Sequence, residues 1–312
     1  MKKIILNMNQ SDLHVSFDIV FVNSTLLKST VVKTEHIALE KGVFFFEKDM
    51  SYVISLLERV INENGYQKAP ITLSLNSNNL FIETIEIPRL TAQEEKKALQ
   101  IEMERLYNDY QDRFIFVQKS SLVNKQVKRI KIALYDRVRY KEILNFIKKL
   151  KHPLTKVVLT PYSLGQSLSS NRLCDFTKPF VFVNISTLST VIIVYRKNVE
   201  SYHISNVGID KQEDLDSNDY YLLKRDAIKL IANDVKQVLY NTKNFDARNI
   251  YLNVENDDDE NSCDLLSDYL GYKVMKPIEK QEVLPYLSYL GSLSVINNGY
   301  IFPTRIQVSK KK

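Results

Sequence analysis

The residues best arranged for chemistry run from Phe180 to Tyr195, two apolar stretches joined by the turn Asn184-Ile185-Ser186-Thr187-Leu188-Ser189-Thr190. A polar turn between two apolar strands is the outline of a phosphate-binding hairpin, in which backbone amides and hydroxyls meet an anion. Such a hairpin wants glycine, because backbone approaches a phosphate closely only where no side chain intervenes. This turn contains none. The chain's seven glycines stand at 42, 65, 165, 208, 271, 291 and 299, and no two lie within six residues of each other, which counts against any glycine-rich cradle.

Other reactive residue types are scattered. Cys174 and Cys263 match no metal spacing and are too few for a disulfide framework, so they read as reduced structural thiols. His14, His36, His152 and His203 show no ligand spacing and read as structural imidazoles. Gly165-Gln166-Ser167 is half of a nucleophile elbow, but Ser169 stands where the second glycine belongs, so Ser167 reads as a helix serine. The consecutive acids Asp257-Asp258-Asp259-Glu260 read as a solvated loop. From Lys119 to Lys151 eleven Lys or Arg accompany two acids, Asp136 and Glu142. Such a run suits nucleic acid, an anionic membrane surface or an acidic partner. Its aromatics, Tyr135, Tyr140 and Phe146, fall at core-like positions and build no stacking platform, so nucleic acid is the weakest of these partners.

A chain of 312 residues with 44% apolar and 26% charged residues is a folded protein with room for two domains. Met1 to Leu6 turns polar at Asn7, without the apolar core of a signal peptide, and no apolar run reaches membrane-spanning length. The expected location is the cytoplasm. Runs at 3–9, 13–22 and 25–36 predict a three-strand meander, followed by a helix over 49–64 that Gly65 stops. The pattern recurs: strands at 179–185, 189–196 and 199–206, a long helix over 219–242 with Leu223, Ala227, Leu230, Ile231, Val235, Val238 and Leu239 on its apolar face, then a strand at 248–254. Between the copies the order strand 70–75, strand 79–87, helix 91–107, strands 113–121 and 126–135 and a basic helix 137–150 predicts a small α+β insertion. Strand 155–160 and helix 162–169 return the chain to the first domain, and 284–296 reads as a short apolar helix. The expected domains are 1–66 with 153–176, the insertion 67–152, and 177–312.

Several stretches, in order, resemble a known family. Ile71 to Leu75, Leu80 to Pro88, Thr91 to Glu95 and Ile101 to Glu104 are similar to the insertion of PilM, the actin-like cytoplasmic protein of type IV pilus assembly, and more distantly to FtsA and the cytoplasmic region of GspL. Thr160-Pro161-Tyr162-Ser163-Leu164, Asp234 to Tyr240, Ile250-Tyr251-Leu252, Leu270 to Val274 and Tyr289 to Leu293 resemble its later elements. The resemblance implies an α/β fold of duplicated actin-like, RNase H-like domains with an inserted α+β subdomain. It also implies a cytoplasmic scaffold, peripheral at the inner face of the membrane, holding the tail of a PilN-like inner-membrane protein in a groove walled by strands near 13–36 and 70–87. A secretion or pilus ATPase is a further implied partner.

The departures from that family fall on its nucleotide motifs. Where the resemblance implies Asp-Ile-Gly in the first phosphate loop, this chain has Asn7-Met8-Asn9-Gln10-Ser11. In the second it has Asn184-Ile185-Ser186, with Ser189 and Thr190 retained. Neutral asparagine supplies no charge to attract Mg²⁺, and serine puts a side chain where backbone must touch phosphate. The expected adenosine glycines are replaced by Asn253-Val254-Glu255-Asn256, and only Gly208 to about Asp219 fills the interval of a cleft-forming subdomain. Asn7, Asn184, Ser186, Ser189 and Thr190 are therefore expected to be a remnant that binds no ATP, Mg²⁺ or other cofactor. An active actin-like ATPase and a nucleic-acid binder using 119–151 are the alternatives. An RNase H-type nuclease would need acids where Asn7 and Asn184 stand.

Overall fold

The computed structural model describes residues 1–10, 15–25, 29–39, 50–77, 79–187, 189–196, 198–209, 216–242, 249–255, 261–278 and 301–304. The expected helix at 284–296, the acidic run 257–260, His14, Ser11 and the stretch Tyr289 to Leu293 lie outside them.

The first meander is β1 (Lys2–Gln10), β2 (Val15–Ser24) and β3 (Ser29–Ala38), followed by α1 (Met50–Glu63) and β4 (Ile71–Ser77). Ile4, Ile5 and Leu6 are fully buried, as expected of a central strand covered on both faces. β3 alternates between exposed and half-buried positions, as an edge strand does. α1 buries Val53, Leu57 and Ile61, one helical stripe, and ends where Gly65 takes a left-handed φ of 74°.

The chain then builds β5 (Leu80–Pro88), α2 (Ala92–Leu106), the short α3 (Tyr110–Arg113), β6 (Phe114–Leu122), β7 (Val127–Asp136) and α4 (Arg137–Lys149). α2 opens on a capping box: Thr91 accepts from the Glu94 amide, and Glu94 accepts from the Thr91 amide at 3.0 Å. β5, β7 and β6 form an antiparallel sheet, and α2 buries Leu99 and Met103 against Ile85, Ile87, Ile130 and Ile132. β8 (Leu154–Leu159) and α5 (Thr160–Asn171) follow.

The second half repeats the first: β9 (Phe180–Ile185), β10 (Thr190–Arg196), β11 (Asn198–Ser205), α6 (Ser217–Asn241), β12 (Asn249–Val254), α7 (Asn261–Leu270) and β13 (Val274–Met275), with β14 (Ile301–Phe302) last. The sheet orders show the duplication directly. One sheet reads β3-β2-β1-β4-β8-β14 and the other β11-β10-β9-β12-β13, so each sets a meander beside strands of a parallel crossover. The expected α/β fold of duplicated domains with an α+β insertion is borne out.

Three expectations are corrected. β4 was assigned to the insertion, yet it pairs in parallel with β8 inside the six-stranded sheet, so the inserted sheet starts at β5. The basic helix α4 was assigned there too. It packs on α1, and Phe146 stacks on Phe17 of β2 at 5.6 Å. α4 thus serves the β4-to-β8 crossover as α7 serves β12-to-β13, and the insertion proper lies between β4 and α4. Finally, Leu223 and Leu230, expected on the buried face of α6, are 57% and 53% exposed. The buried stripe is Ile228, Ile231, Ala232 and Val235, one position further round the helix.

The chain divides into two compact units, one carrying β1 to β8 with β14 and the other α5 to β13. This differs from the expected bounds at two places. α5 was expected with the first domain but lies with β10 and β11, and residues 301–302 were expected in the second but extend the first unit's sheet through β8.

Candidate functional site

Each unit carries one of the two asparagines singled out in the sequence, Asn7 in the first and Asn184 in the second, and each is described by itself. In the second unit β9 and β10 hold Asn184, Ser186, Ser189 and Thr190 together at one end of the sheet. Asn184 is 2% exposed and both ends of its amide are used: Nδ2 donates to Glu255 Oε1 at 2.8 Å, and Oδ1 accepts from Asn253 Nδ2 at 2.7 Å. Asn253 lies opposite Asn184 on the parallel strand β12, and the Glu255 amide donates to Ile185 O at 2.8 Å. The residues standing where an adenosine-binding glycine pair was expected therefore bind the turn of their own protein.

Part of the turn's backbone is committed as well. Ser186 donates from N–H to Ser189 O at 2.9 Å and from Oγ to the same carbonyl at 2.8 Å. Thr190, fully buried, donates from Oγ1 to Val207 O at 2.7 Å, and Ile209 N–H donates to Ser186 O at 3.0 Å. The segment Val207 to Ile209 thus lies against the turn. At Gly208 the approach is closest: a Cβ there would sit 2.3 Å from Thr187 O and 2.5 Å from Ser186 O. Glycine is required here for protein backbone to meet protein backbone, and the neighbour that presses on the turn is the chain's own.

In the first unit Asn7, on β1, is 2% exposed and donates from Nδ2 to Asp18 Oδ2 at 3.0 Å and to Asn9 Oδ1 at 3.1 Å. Asn9 Nδ2 donates to the same Asp18 oxygen at 2.8 Å, and Asn76 Nδ2 donates to Asn9 Oδ1 at 3.0 Å. The other Asp18 oxygen lies 2.5 Å from His36 Nδ1, and because a carboxylate only accepts, the ring nitrogen carries the proton. One carboxylate on β2 therefore gathers side chains from β1 and β3, and Asn9 extends the network to β4. A buried carboxylate surrounded by donors is stabilised as a structural acceptor. Sequence reasoning missed Asp18, Glu255 and the pairing of His36. The available signal was a single acid inside the apolar run Phe17-Asp18-Ile19-Val20.

Among the described residues no group of three or more His, Cys, Asp or Glu is placed to hold a metal ion. Burial pushes the Cys174 thiol up to about 12 and also raises Cys263, which suits the structural role read for both. Ser167 is buried in α5. No helix among the described residues is long and apolar enough to cross a membrane.

The fold so defined is actin-like. No protein-family model matches the chain, and no curated protein matches it by sequence. Solved structures do match. A chain of the PilM-PilN type IV pilus biogenesis complex superposes with a TM-score of 0.71 at 12% identity, over 94% of this chain and 98% of that one. The cytoplasmic domain of EpsL, an inner-membrane component of the type II secretion system of Vibrio cholerae, gives 0.54 at 8% identity, over 94% and 95%. The ethanolamine utilization protein EutJ of Carboxydothermus hydrogenoformans gives 0.52 at 14% identity, over 93% and 88%. The resemblance stated from the sequence is thereby borne out as a shared fold.

Proposed function

We propose that the chain is a cytoplasmic scaffold of a type IV pilus or type II secretion-like assembly machine, holding the short cytoplasmic tail of a PilN-like inner-membrane protein and no longer hydrolysing nucleotide. The observation that carries the assembly role is the whole-length likeness to a chain of the PilM-PilN complex. The loss of hydrolysis is supported by the internal hydrogen bonds of these residues. Asn184 offers an ion neither charge nor a free acceptor, Asn7 is neutral with its amide nitrogen bound to Asp18 and Asn9, and Ser186 N–H already has a partner. Peptide addition to an exposed strand edge is a recurring mode of peptide recognition, and β3, at one end of its sheet, supplies an edge within the expected wall.

Two measurements test the reading. Co-purification with the short tails of membrane proteins encoded beside this chain is expected to recover one of them, and failure with every neighbour removes the tail-binding role. Calorimetry with ATP and Mg²⁺ is expected to give no isotherm. A clear isotherm, lost in Thr190→Ala, restores the ATPase reading in its place.

A further inference from the structure

The tip of the β6–β7 hairpin is ordered, convex and amphipathic. Asn124 Oδ1 accepts from the amides of Gln126 and Val127, both at 2.8 Å, and the Val123 amide donates to Val127 O at 3.0 Å, which fixes the turn. Residues Ser120 to Gln126 are all exposed, with Leu122 at 62% and Val123 at 46%. Two apolar side chains at the apex of a tight turn have no folding reason to be there. Around them the acids are spent. Glu86 pairs with Arg129 and Glu95 with Lys128, each at 2.5 Å, while Glu94 folds back onto Thr91. Lys125 in the turn and Arg89, whose N–H donates to Gln126 O at 2.7 Å, have no acidic partner among the described residues. The apex thus shows an apolar pair with two unpaired cations beside it.

We propose that this tip is a wedge that seats in the interface of an anionic bilayer, Leu122 and Val123 entering the acyl boundary and Arg89 and Lys125 meeting lipid phosphates. A protein partner is the weaker fit. A stable protein interface takes roughly 800 Å² from each side, far more than a seven-residue convex tip presents. A bilayer interface accepts a small apolar protrusion and rewards neighbouring cations. The inference deepens the membrane-side placement proposed above while using a surface separate from the tail-binding strand edge.

The chain contains no tryptophan, so a single Val123→Trp substitution makes a clean reporter. Its emission is expected to shift to the blue on mixing with phosphatidylglycerol-containing vesicles and to stay unchanged with phosphatidylcholine alone. In vesicle sedimentation of the parent protein, Arg89→Gln and Lys125→Gln are each expected to lower partitioning about fivefold. Leu122→Ser with Val123→Ser is expected to lower it about tenfold or more. Thermal melts of the variants confirm folding, since these side chains are solvent-exposed. No blue shift, equal binding to both lipids, or sedimentation unaffected by the tip variants overturns the wedge. A change in the free protein's mass on removing Leu122 and Val123 also overturns it, in favour of self-association. Tail capture is measured on the same variants and is expected to persist. Loss of capture by the parent with vesicle binding intact would sink the tail reading and spare this one.

Discussion

Asn184 shows how one side chain organises a site. Its amide bridges an acceptor, Glu255, and a donor, Asn253, a task an aspartate cannot perform. Asn184→Asp would install the residue type that the resemblance to PilM implies for a metal ligand, yet it would place carboxylate oxygen against carboxylate oxygen where a 2.8 Å hydrogen bond now stands. We expect a loss of about 2 kcal/mol in chemical denaturation, because a buried like-charge pair replaces a satisfied bond. Glu255→Gln in the same chain should recover most of it, and an additive double mutant would show that the two residues are not coupled. The sequence made Asn184 legible as a departure, but not its partners, since Glu255 lies seventy-one residues on and is brought near only by the parallel pairing of β9 with β12.

At the scale of elements, the turn between β9 and β10 and the segment after β11 act as one piece, with Gly208 as its tightest point. Gly208→Ala must push backbone apart, because both nearest atoms are carbonyl oxygens, and should cost about 1–3 kcal/mol. Amide exchange at Ser186 and Ile209 should speed up with it, whereas unchanged protection there would show the contact to be loose. α2 offers a pH readout. The Thr91 hydroxyl and amide hold the Glu94 carboxyl below the usual glutamate range. A lowered folded value means that the cap's contribution is fully present above the ordinary glutamate pKa and is lost as pH falls through the folded one. Exchange protection in the first turn of α2 should therefore fall on acidification ahead of the helix's middle, and Thr91→Ala should abolish that difference. This box was legible because capping is local, three residues apart. The exposed Leu223 and Leu230 were misread because α6 carries two adjacent apolar stripes, and only the sheet beneath it selects one.

Across the molecule, the duplication was legible because each meander and its helix follow in order along the chain. The membership of β4, α4 and β14 was not, because sheet neighbours are chosen by long-range pairing that periodicity does not encode. β14 is the plainest case, two residues whose role depends on β8 and on aromatic packing. Phe302 is 1% exposed and meets Tyr140 at 5.5 Å and Tyr135 at 6.5 Å, while Tyr140 Oη donates to Pro303 O at 2.7 Å. Phe302→Ala should remove about 3 kcal/mol from the first unit and leave the second unit's exchange protection unchanged. Equal loosening of both units would refute that independence. The same strand governs the timing of assembly. On the ribosome β8 emerges before residues 160–300, so its outer edge waits unpaired while the whole second unit is synthesised, roughly 7–28 s at about 5–20 residues per second. An open strand edge is an invitation to aggregate. Any fusion or truncation that removes residues 301–302 leaves that edge bare for the life of the protein.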